Sequence, residues 1–244
     1  MKDILGVIPA RYKSSRFPGK PLKDILGKPM IIHVAEKVEK AIGKDNTIIA
    51  TDDLRIAKVV KEYGYNCIIT SDTHKTGTDR LYEVSQKIDA KMYINIQGDE
   101  PIINPADIVK IISGKNKFPD KIINGYSLIS NIEDPESYNI PKVIFNEENE
   151  LIYMSRLAIP AIKSGNIKPV YYKQVCIYAF NKKELKAFGE RTKKTTLESF
   201  EDIEILRFLE MGYPIKMILT DSISLAVDVP DDILKVENFL KNQK

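Results

Sequence analysis

The first 120 or so residues alternate between two kinds of apolar segment, and this alternation limits the fold more than any other feature. Apolar runs of strand length (ILGVIP, NTIIAT, NCIIT, MYINIQ) are separated by segments such as PMIIHVAEKVEKAI and DRLYEVSQKI. In PMIIHVAEKVEKAI the apolar residues from Ile31 to Ile42 recur at spacings of three and four, which is typical of a helix with one buried face. The pattern predicts an α/β fold: a mostly parallel, Rossmann-like sheet with helices on both faces.

Beyond about residue 121 the alternation gives way to less regular segments. The segment KVIFNEENELIYM is predicted to form a β-hairpin that leaves the main sheet, because its polar middle, residues 146–149, separates two apolar arms. Further predictions are a strand at YKQVCIYAF, one helix around LESFEDIEILRFLEMG that ends at Gly212, and a last helix after Asp228-Val229-Pro230. We interpret residues 1–244 as a single domain with two halves, 1–121 and 122–244.

Charge and cysteine content exclude several classes of protein. The chain has 37 Lys and Arg against 34 Asp and Glu, and a net charge of +3 is too small for a surface that coats nucleic acid. No stretch approaches the ~18 apolar residues of a membrane span, and the start MKDILGVIPAR does not resemble a signal peptide. Cys67 and Cys176 lie in predicted buried strands, which disfavours a disulfide framework. We expect a cytoplasmic protein without nucleic-acid partner or membrane insertion.

The loop after the first strand is rich in cations. The segment RYKSSRFPGK contains two serines, a glycine and four basic residues, which are Arg11, Lys13, Arg16 and Lys20. In an open parallel sheet ligands bind beyond the carboxyl ends of the strands, so this loop is a candidate site for a polyphosphate. The loop is not a Walker A motif, and the chain has no GxGxxG, which disfavours a kinase or a dehydrogenase. An ordinary solvated basic loop is the alternative interpretation.

Two aspartates also follow apolar strands. Asp99 lies in INIQGDEP and Asp228 in LAVDVPDD, so both are expected at the ligand-binding edge of the sheet. Together they can bind one Mg²⁺, which prefers oxygen ligands and phosphate, although Asp228 can instead cap the helix that follows it. The combination fits metal-assisted nucleotidyl transfer, which needs no side-chain nucleophile. His33 and His74 lack a catalytic-triad setting and are interpreted as structural or surface residues.

Seven segments taken together carry a resemblance to a known family. In chain order they are IPARYKSSRFPGKPL, GKPMI, ATDD, KTGTDR, NIQGDEP, MSRLAIP and VDVPDD, and they extend over nearly all of the sequence. With them the chain resembles the 3-deoxy-manno-octulosonate (Kdo) cytidylyltransferases, or CMP-Kdo synthetases. The resemblance implies a nucleotidyltransferase-type sheet, CTP and an acidic keto-sugar as substrates, a Mg²⁺ cofactor, and a homodimer formed through the hairpin. It also implies that CMP is transferred to the anomeric hydroxyl of a 2-keto-3-deoxy sugar acid, that pyrophosphate leaves, and that the product serves surface-polysaccharide assembly.

The resemblance also assigns residues, motif by motif. Catalytic roles fall on Lys20, Arg16, Asp99 and Asp228, with the two aspartates as metal ligands. Nucleotide-binding roles fall on Arg11, Arg16, Lys20, Thr78, Arg80 and Gln97. Sugar-binding roles fall on Arg156, Gln174, Tyr178, Glu204 and Ile205, where the guanidinium of Arg156 is a candidate partner for the sugar carboxylate.

The sequence departs from the family pattern on the sugar side. Gln174 stands where the family usually has histidine, and Ile205 stands where it usually has glutamine. An aliphatic residue in place of an amide disfavours a hydroxyl that needs a hydrogen-bond partner. We therefore expect an acceptor other than Kdo, or poor use of Kdo. Two alternatives stay open, a cytidylyltransferase for another acidic acceptor and a non-catalytic nucleotide-binding relative.

Overall fold

A computed structural model describes residues 1–13, 17–131, 133–163, 169–221 and 225–242. The strands are β1 (Lys2–Ala10), β2 (Asp24–Ile25), β3 (Lys28–Pro29), β4 (Thr47–Thr51), β5 (Asn66–Ile69), β6 (Ala90–Ile96), β7 (Ile122–Leu128), β8 (Lys142–Phe145), β9 (Leu151–Ser155), β10 (Tyr172–Phe180) and β11 (Ile215–Leu219). The helices are α1 (Met30–Ile42), α2 (Leu54–Glu62), α3 (Gly77–Lys87), α4 (Pro105–Lys117), α5 (Lys182–Gly189), α6 (Thr196–Glu201), α7 (Ile205–Glu210) and α8 (Asp231–Asn242).

The main sheet has the strand order β11-β7-β10-β6-β1-β4-β5. Neighbouring strands are parallel except for β10, which is antiparallel to both β6 and β7. The mostly parallel sheet predicted from the alternation is therefore confirmed. Strands β1, β4 and β6 are largely buried, as expected for a sheet covered on both faces, whereas the edge strand β5 has two exposed and two partly exposed residues.

Two hydrophobic clusters cover the two faces of the sheet. One joins the sheet to α3, α5 and α7, and the other joins it to α1, α2 and α4. In α1 the residues Ile31, Val34, Ala35 and Val38 are fully buried, so the face predicted from their spacing is the one that packs on the sheet. A smaller third cluster packs α8 against Phe17, in the basic loop, and Ile25, which follows the loop.

The predicted hairpin is present, but it belongs to the main sheet instead of leaving it. Strands β8 and β9 pair antiparallel around residues 146–149, and β8 also pairs with β10. The hairpin therefore extends the sheet beside β10, where it places Ser155 and the residue that follows it near the ligand-binding edge.

One predicted helix is two helices. The segment LESFEDIEILRFLEMG forms α6 and α7, because Asp202 adopts a left-handed conformation with a φ of 50°. This conformation interrupts a helix. The predicted end at Gly212 is correct, since Gly212 has a φ of 77° and its N–H donates to the carbonyl of Leu209. The break matters because it turns the carbonyls of residues 201 and 202 toward the candidate site.

A β-bulge interrupts the pairing of β10 with β7 between Val175 and Tyr178. The buried side chain of Asn124 donates to the carbonyls of Val175 and Ile177, both at 3.0 Å, and so satisfies acceptors that the bulge takes out of the ladder. On the other side of β10, the carbonyl of Cys176 accepts from the N–H of Gln97 at 3.3 Å. The bulge thus joins β10 to the segment that follows β6.

The remaining sequence predictions concern cysteines and membrane insertion. Cys67 lies in β5 and Cys176 in β10, which confirms the two predicted strands. Both cysteines are free thiols, and both are half-buried instead of fully buried. Within the described ranges, none of the helices combines the length and the apolar character needed to cross a bilayer.

Candidate active site

The candidate site is a cleft of about 490 Å³ at the carboxyl ends of the parallel strands. Its walls include residues that directly follow β1 and β6 and the loop between β5 and α3. This is the edge at which open α/β sheets bind ligands. Seven of the residues assigned from the sequence line this one cleft: Arg11, Lys20, Arg80, Gln97, Asp99, Arg156 and Asp228.

Lys20 and the two aspartates meet at one side of the cleft. The Nζ of Lys20 lies 2.8 Å from Oδ2 of Asp99 and 3.8 Å from Oδ1 of Asp228, and it donates to the carbonyl of Val227 at 2.7 Å. The N–H of Val227 in turn donates to the carbonyl of Asp99 at 2.9 Å. Lys20, Asp99 and Asp228 therefore form one charged cluster, although the two aspartates follow Lys20 in the chain by 79 and 208 residues.

The carboxylate pair suits a hard divalent cation. Asp99 and Asp228 already face a common cation, the ammonium of Lys20, and their side chains are 30% and 22% exposed, so they are open to the cleft. The described residues contain no group of three or more possible metal ligands. Two carboxylates nevertheless match the way Mg²⁺ binds beside a nucleotide, through one or two carboxylates, water and phosphate oxygens.

The position at which α8 begins distinguishes between the two roles predicted for Asp228, metal binding and helix capping. This helix begins at Asp231, so Asp228 lies before its N-cap position. The carboxylate that accepts backbone N–H groups there belongs to Asp232, which binds the N–H of Asp228 at 3.0 Å and of Val229 at 3.1 Å. Helix capping by Asp228 is therefore wrong, and its carboxylate is directed to Lys20 instead.

The basic loop closes through a backbone contact. The N–H of Gly19 donates to the carbonyl of Tyr12 at 2.9 Å, which brings the two ends of the loop together. Gly19 has a φ of 70°, and a Cβ there would lie 3.1 Å from the Tyr12 ring, so both conformation and space favour glycine. The guanidinium of Arg55 lies 3.3 Å from the centre of the same ring. Arg16 lies outside the described residues.

Gln97 is held by a carboxylate beneath the cleft. Its Nε2 donates to Oε1 of Glu204 at 2.9 Å, and Oε2 of Glu204 accepts from the N–H of Thr78 at 3.0 Å. Burial raises the pKa of Glu204, and the hydrogen bond from the N–H of Thr78 opposes that shift. Glu204 does not line the cleft itself. It orients Gln97, which does.

Thr78 lies in the right motif but is turned away from the cleft. It is 1% exposed, and its hydroxyl accepts from the side chain of Asn95 at 3.3 Å. The neighbouring residues Lys75, Thr76 and Gly77 line the cleft in its place. The side chain of Thr78 is therefore not a direct nucleotide contact in this conformation, because the first turn of α3 points it at the sheet.

Arg80 contributes an almost completely buried charge to the wall of the cleft. It is 3% exposed, donates to the hydroxyl of Thr70 and the carbonyl of Ser71, and lies 3.5 Å from Oδ2 of Asp52. Burial lowers the pKa of the guanidinium, while Asp52 opposes the shift. These contacts fix the side chain in one orientation, as a phosphate-binding or base-binding arginine requires.

Arg156 is positioned by backbone carbonyls from two segments, residue 138 and residues 201–202. Its Nε donates to the carbonyl of Glu201 at 2.5 Å, one Nη to that of Tyr138 at 2.7 Å, and the other Nη to that of Asp202 at 3.1 Å. A guanidinium carries five N–H donors. Among contacts with described residues, two donors of Arg156 are left for a ligand in the cleft, which suits a carboxylate.

Several residues of the cleft were not assigned from the sequence. They are His74, Lys75, Thr76, Tyr138, Asn139 and Asp202. His74 was interpreted as a structural or surface residue, and it does pair with Glu83 at 2.5 Å, but it also lines the cleft. The KTGTDR motif pointed to this loop. No signal in the sequence pointed to Tyr138, Asn139 or Asp202, because only the hairpin and the helix break bring them here.

A second cavity of about 510 Å³ adjoins the first. Asn139 and Asp228 line both cavities, and Gln174 lines the second one only. Gln174 is 8% exposed, and its Nε2 donates to Oδ1 of Asn124 at 3.1 Å. It is thus part of the contacts that hold the β10 bulge, and the structure does not place it in the cleft with Arg156.

Two predicted sugar contacts are buried in the core. Ile205 is 1% exposed and Tyr178 is 3% exposed, and both belong to the cluster that covers one face of the sheet. Neither side chain lines either cavity. The interpretation of Ile205 as a pocket residue is therefore wrong for this conformation, because the first turn of α7 directs it into the core.

His33, expected to be structural, contacts the carbonyl of Ile25 at 2.8 Å.

Known proteins resemble this chain over nearly all of its length. The family model described as cytidylyltransferase matches residues 5–218. The chain is 39% identical to the 3-deoxy-manno-octulosonate cytidylyltransferase of Parabacteroides distasonis, over 100% of both proteins. It is 41% identical to the protein of the same name from Geobacter metallireducens, over 96% of each. The mitochondrial protein of that name from Arabidopsis thaliana is 38% identical over 98% of this chain and 84% of the relative.

Solved structures give the same picture. A structure of CMP:2-keto-3-deoxy-manno-octonic acid synthetase complexed with CTP superposes with a TM-score of 0.91 at 36% identity, over 100% of both chains. A putative glucose-1-phosphate thymidylyltransferase from Bacillus anthracis superposes with a TM-score of 0.71 at 16% identity, over 99% of this chain and 96% of that one. The second likeness concerns the fold alone.

Proposed function

Because this chain belongs to the 3-deoxy-manno-octulosonate cytidylyltransferase family of enzymes, we propose that it transfers CMP from CTP to the anomeric hydroxyl of Kdo or a closely related 2-keto-3-deoxy sugar acid. Pyrophosphate is the second product. The relatives that carry the name and the neighbour in complex with CTP support the choice of both substrates.

One observation supports the proposal most strongly. The cleft combines cations suited to a triphosphate (Arg11 and Lys20), two carboxylates (Asp99 and Asp228), and an arginine with donors left for a ligand (Arg156). These are the groups that a reaction between an anionic nucleotide and an anionic acceptor requires, since each substrate needs its own counter-charge.

The residues divide the chemistry between them. Lys20 faces the carboxylate pair, so its ammonium is available to stabilise the charge that grows on pyrophosphate as the bond to the α-phosphorus breaks. Arg11 and Arg80 add positive charge to the nucleotide side of the cleft. Arg156 orients the acceptor by binding the sugar carboxylate, so that the anomeric oxygen of the sugar approaches the α-phosphorus of CTP.

Asp99 and Asp228 are the residues that would hold Mg²⁺ in this proposal. When bound, the ion would neutralise phosphate charge and hold the reacting groups together. The ammonium of Lys20 would then leave its contact with Asp99 for the phosphates.

A direct assay tests the proposal. Pyrophosphate release from CTP is measured with a panel of keto-sugar acids that includes Kdo, with UTP as the nucleotide control and EDTA to remove the metal. We expect release that requires CTP, an acidic keto-sugar and Mg²⁺. Tight CTP binding without release across the whole panel would instead favour a non-catalytic relative.

A cytidylyltransferase for a different acidic acceptor is the second candidate. Gln174 replaces the usual histidine, and it lines the cavity next to the cleft. The case is weaker than the sequence indicated, because Ile205 is a core residue. In the same panel, an acceptor whose kcat/KM clearly exceeds that of Kdo would favour this candidate.

We further propose a homodimer in a reducing, cytoplasmic compartment. Exposed apolar side chains near the β8–β9 hairpin support the dimer, since Ile152 is 56%, Leu157 is 58% and Phe200 is 83% exposed. The free thiols of Cys67 and Cys176 fit a reducing compartment. Light scattering of the unmodified chain and of Ile152→Lys tests the dimer, which the charged variant should weaken.

A further inference from the structure

Lys142 is a buried cation that the proposed chemistry does not use. It is the first residue of β8 and is 0% exposed. Within the described part of the chain, no carboxylate forms a salt bridge with it, and burial lowers the pKa of its ammonium. Its cross-strand neighbour Lys173 differs, because Lys173 is paired with Glu133. An unpaired buried charge is costly, so its retention needs an explanation.

The contacts of Lys142 indicate what it does. Its Nζ donates to the carbonyl of Ser137 at 2.9 Å and to the carbonyl of Arg156 at 2.5 Å. The guanidinium of Arg156 donates to the carbonyl of Tyr138 at 2.7 Å. Lys142 and Arg156 therefore donate to the carbonyls of adjacent residues, 137 and 138, in the short segment 137–139.

The segment 137–139 forms the wall between the two cavities. Tyr138 lines the first cavity, Ser137 lines the second, and Asn139 lines both. Lys142 lines neither. It therefore acts on a ligand only through the groups that it holds, namely the wall and the main chain of Arg156.

We infer that Lys142 is a positioning residue for the acceptor, which fixes Arg156 and the 137–139 wall so that the cleft fits an acidic sugar. This inference rests on the proposed function. Lys142 sets the position of the acceptor side only, because its contacts are to residues 137 and 156, whereas Lys20 and Asp99 on the nucleotide side are held by Val227.

The test compares Lys142→Met with a matched control, Lys115→Met. Lys115 is also buried, at 3% exposed, but it is paired with Glu184 at 2.7 Å and lines neither cavity. Losing Lys115 leaves a buried carboxylate unpaired, so this control should lose more thermal stability than Lys142→Met. Its KM values for CTP and for the acceptor should stay unchanged.

For Lys142→Met we expect a change in the KM for the acceptor and a smaller loss of thermal stability than in the control. The KM for the acceptor should rise on the order of tenfold, because Arg156 loses its fixed position, while the KM for CTP stays within about twofold. Amide hydrogen exchange of residues 137–139 should become faster than in the unmodified protein and in Lys115→Met. Lys142→Gln, which keeps N–H donors, should recover part of both effects, and it replaces the methionine variant if that one does not fold.

Two results would overturn the inference. One is an acceptor KM and an exchange rate that are unchanged in Lys142→Met. The other is an equal rise of both KM values together with a loss of stability like that of the control, which would make Lys142 a general structural residue. If the unmodified protein turns over no keto-sugar acid, the proposed function fails, and the exchange comparison still decides whether Lys142 holds the wall.

Discussion

The replacement Asp99→Asn removes one negative charge from the carboxylate pair with little change in shape. Asp99 is 2.8 Å from Lys20 and is 30% exposed, so the ion pair itself contributes only about 1 kcal/mol or less to folding. Its carbonyl, which accepts from Val227, is unaffected by the change. The free energy of unfolding should therefore change little.

Turnover should fall much more than stability. A charged ligand that stabilises a transferring phosphate is worth a factor on the order of 100 or more, or roughly 3 kcal/mol in activation free energy. We expect a fall of that size for Asp99→Asn, together with a higher Mg²⁺ requirement for CTP binding. The rise in activation free energy should thus exceed the fall in unfolding free energy by about 2 kcal/mol.

Three measurements on one preparation test this expectation: pyrophosphate release, calorimetric titration of CTP at several Mg²⁺ concentrations, and urea unfolding. Asp89→Asn is the control, because Asp89 also forms an ion pair, with Lys182 at 2.7 Å, but is 52% exposed and lines neither cavity. The control should match the unmodified protein in all three. Near-normal turnover of Asp99→Asn at moderate Mg²⁺ would refute the metal assignment.

Further changes separate the other roles. Asp228→Asn should lower turnover and leave stability unchanged. Asp232→Ala should lower the free energy of unfolding by about 1 kcal/mol, because the carboxylate of Asp232 binds two backbone N–H groups. Steady-state kinetics and urea unfolding of both variants distinguish these outcomes. Lys20→Ala should lower kcat more than it raises the KM for CTP, and a rise in KM alone would make Lys20 a uniform binding contact. Ile205→Gln should reduce the unfolding free energy by roughly 1–3 kcal/mol without improving kcat/KM for Kdo, since it buries an amide in the core. Glu83→Gln should cost up to about 3 kcal/mol at pH 7, because hydrogen bonds outweigh burial and lower the pKa of Glu83 from 4.5 to about 2. That contribution is present above about pH 4.5 and is lost as the pH falls toward 2, so unfolding at pH 7, 4 and 3 should show the difference between the two proteins shrinking.

Much of the fold followed from local patterns in the sequence. The spacing in α1, the apolar runs of β1, β4 and β6, and the polar turn of the hairpin each depend on residues close together in the chain. The same is true of the strand-end motifs. Arg11 and Asp99 lie in the cleft because they belong to the segments that follow two neighbouring parallel strands, and parallel strands end at the same edge of a sheet.

The direction in which individual side chains point was decided by tertiary structure. Thr78, Glu204 and Ile205 lie in the predicted motifs, but the first turns of α3 and α7 direct two of them inward and leave Glu204 beneath Gln97. A motif match carries no information about such orientation, because a single turn of helix separates a residue that lines a cleft from one that fills the core.

On the acceptor side of the cleft, the sequence identified Arg156, but its orientation was decided by tertiary structure. Arg156 is oriented by the carbonyls of Tyr138, Glu201 and Asp202, and Lys142 contacts residues 137 and 156. Backbone carbonyls are present at every residue, so no sequence pattern marks the ones that will accept these hydrogen bonds. They were selected by the helix break at Asp202 and by the pairing of β8 with β9 and β10, which bring together groups from four separate segments of the chain.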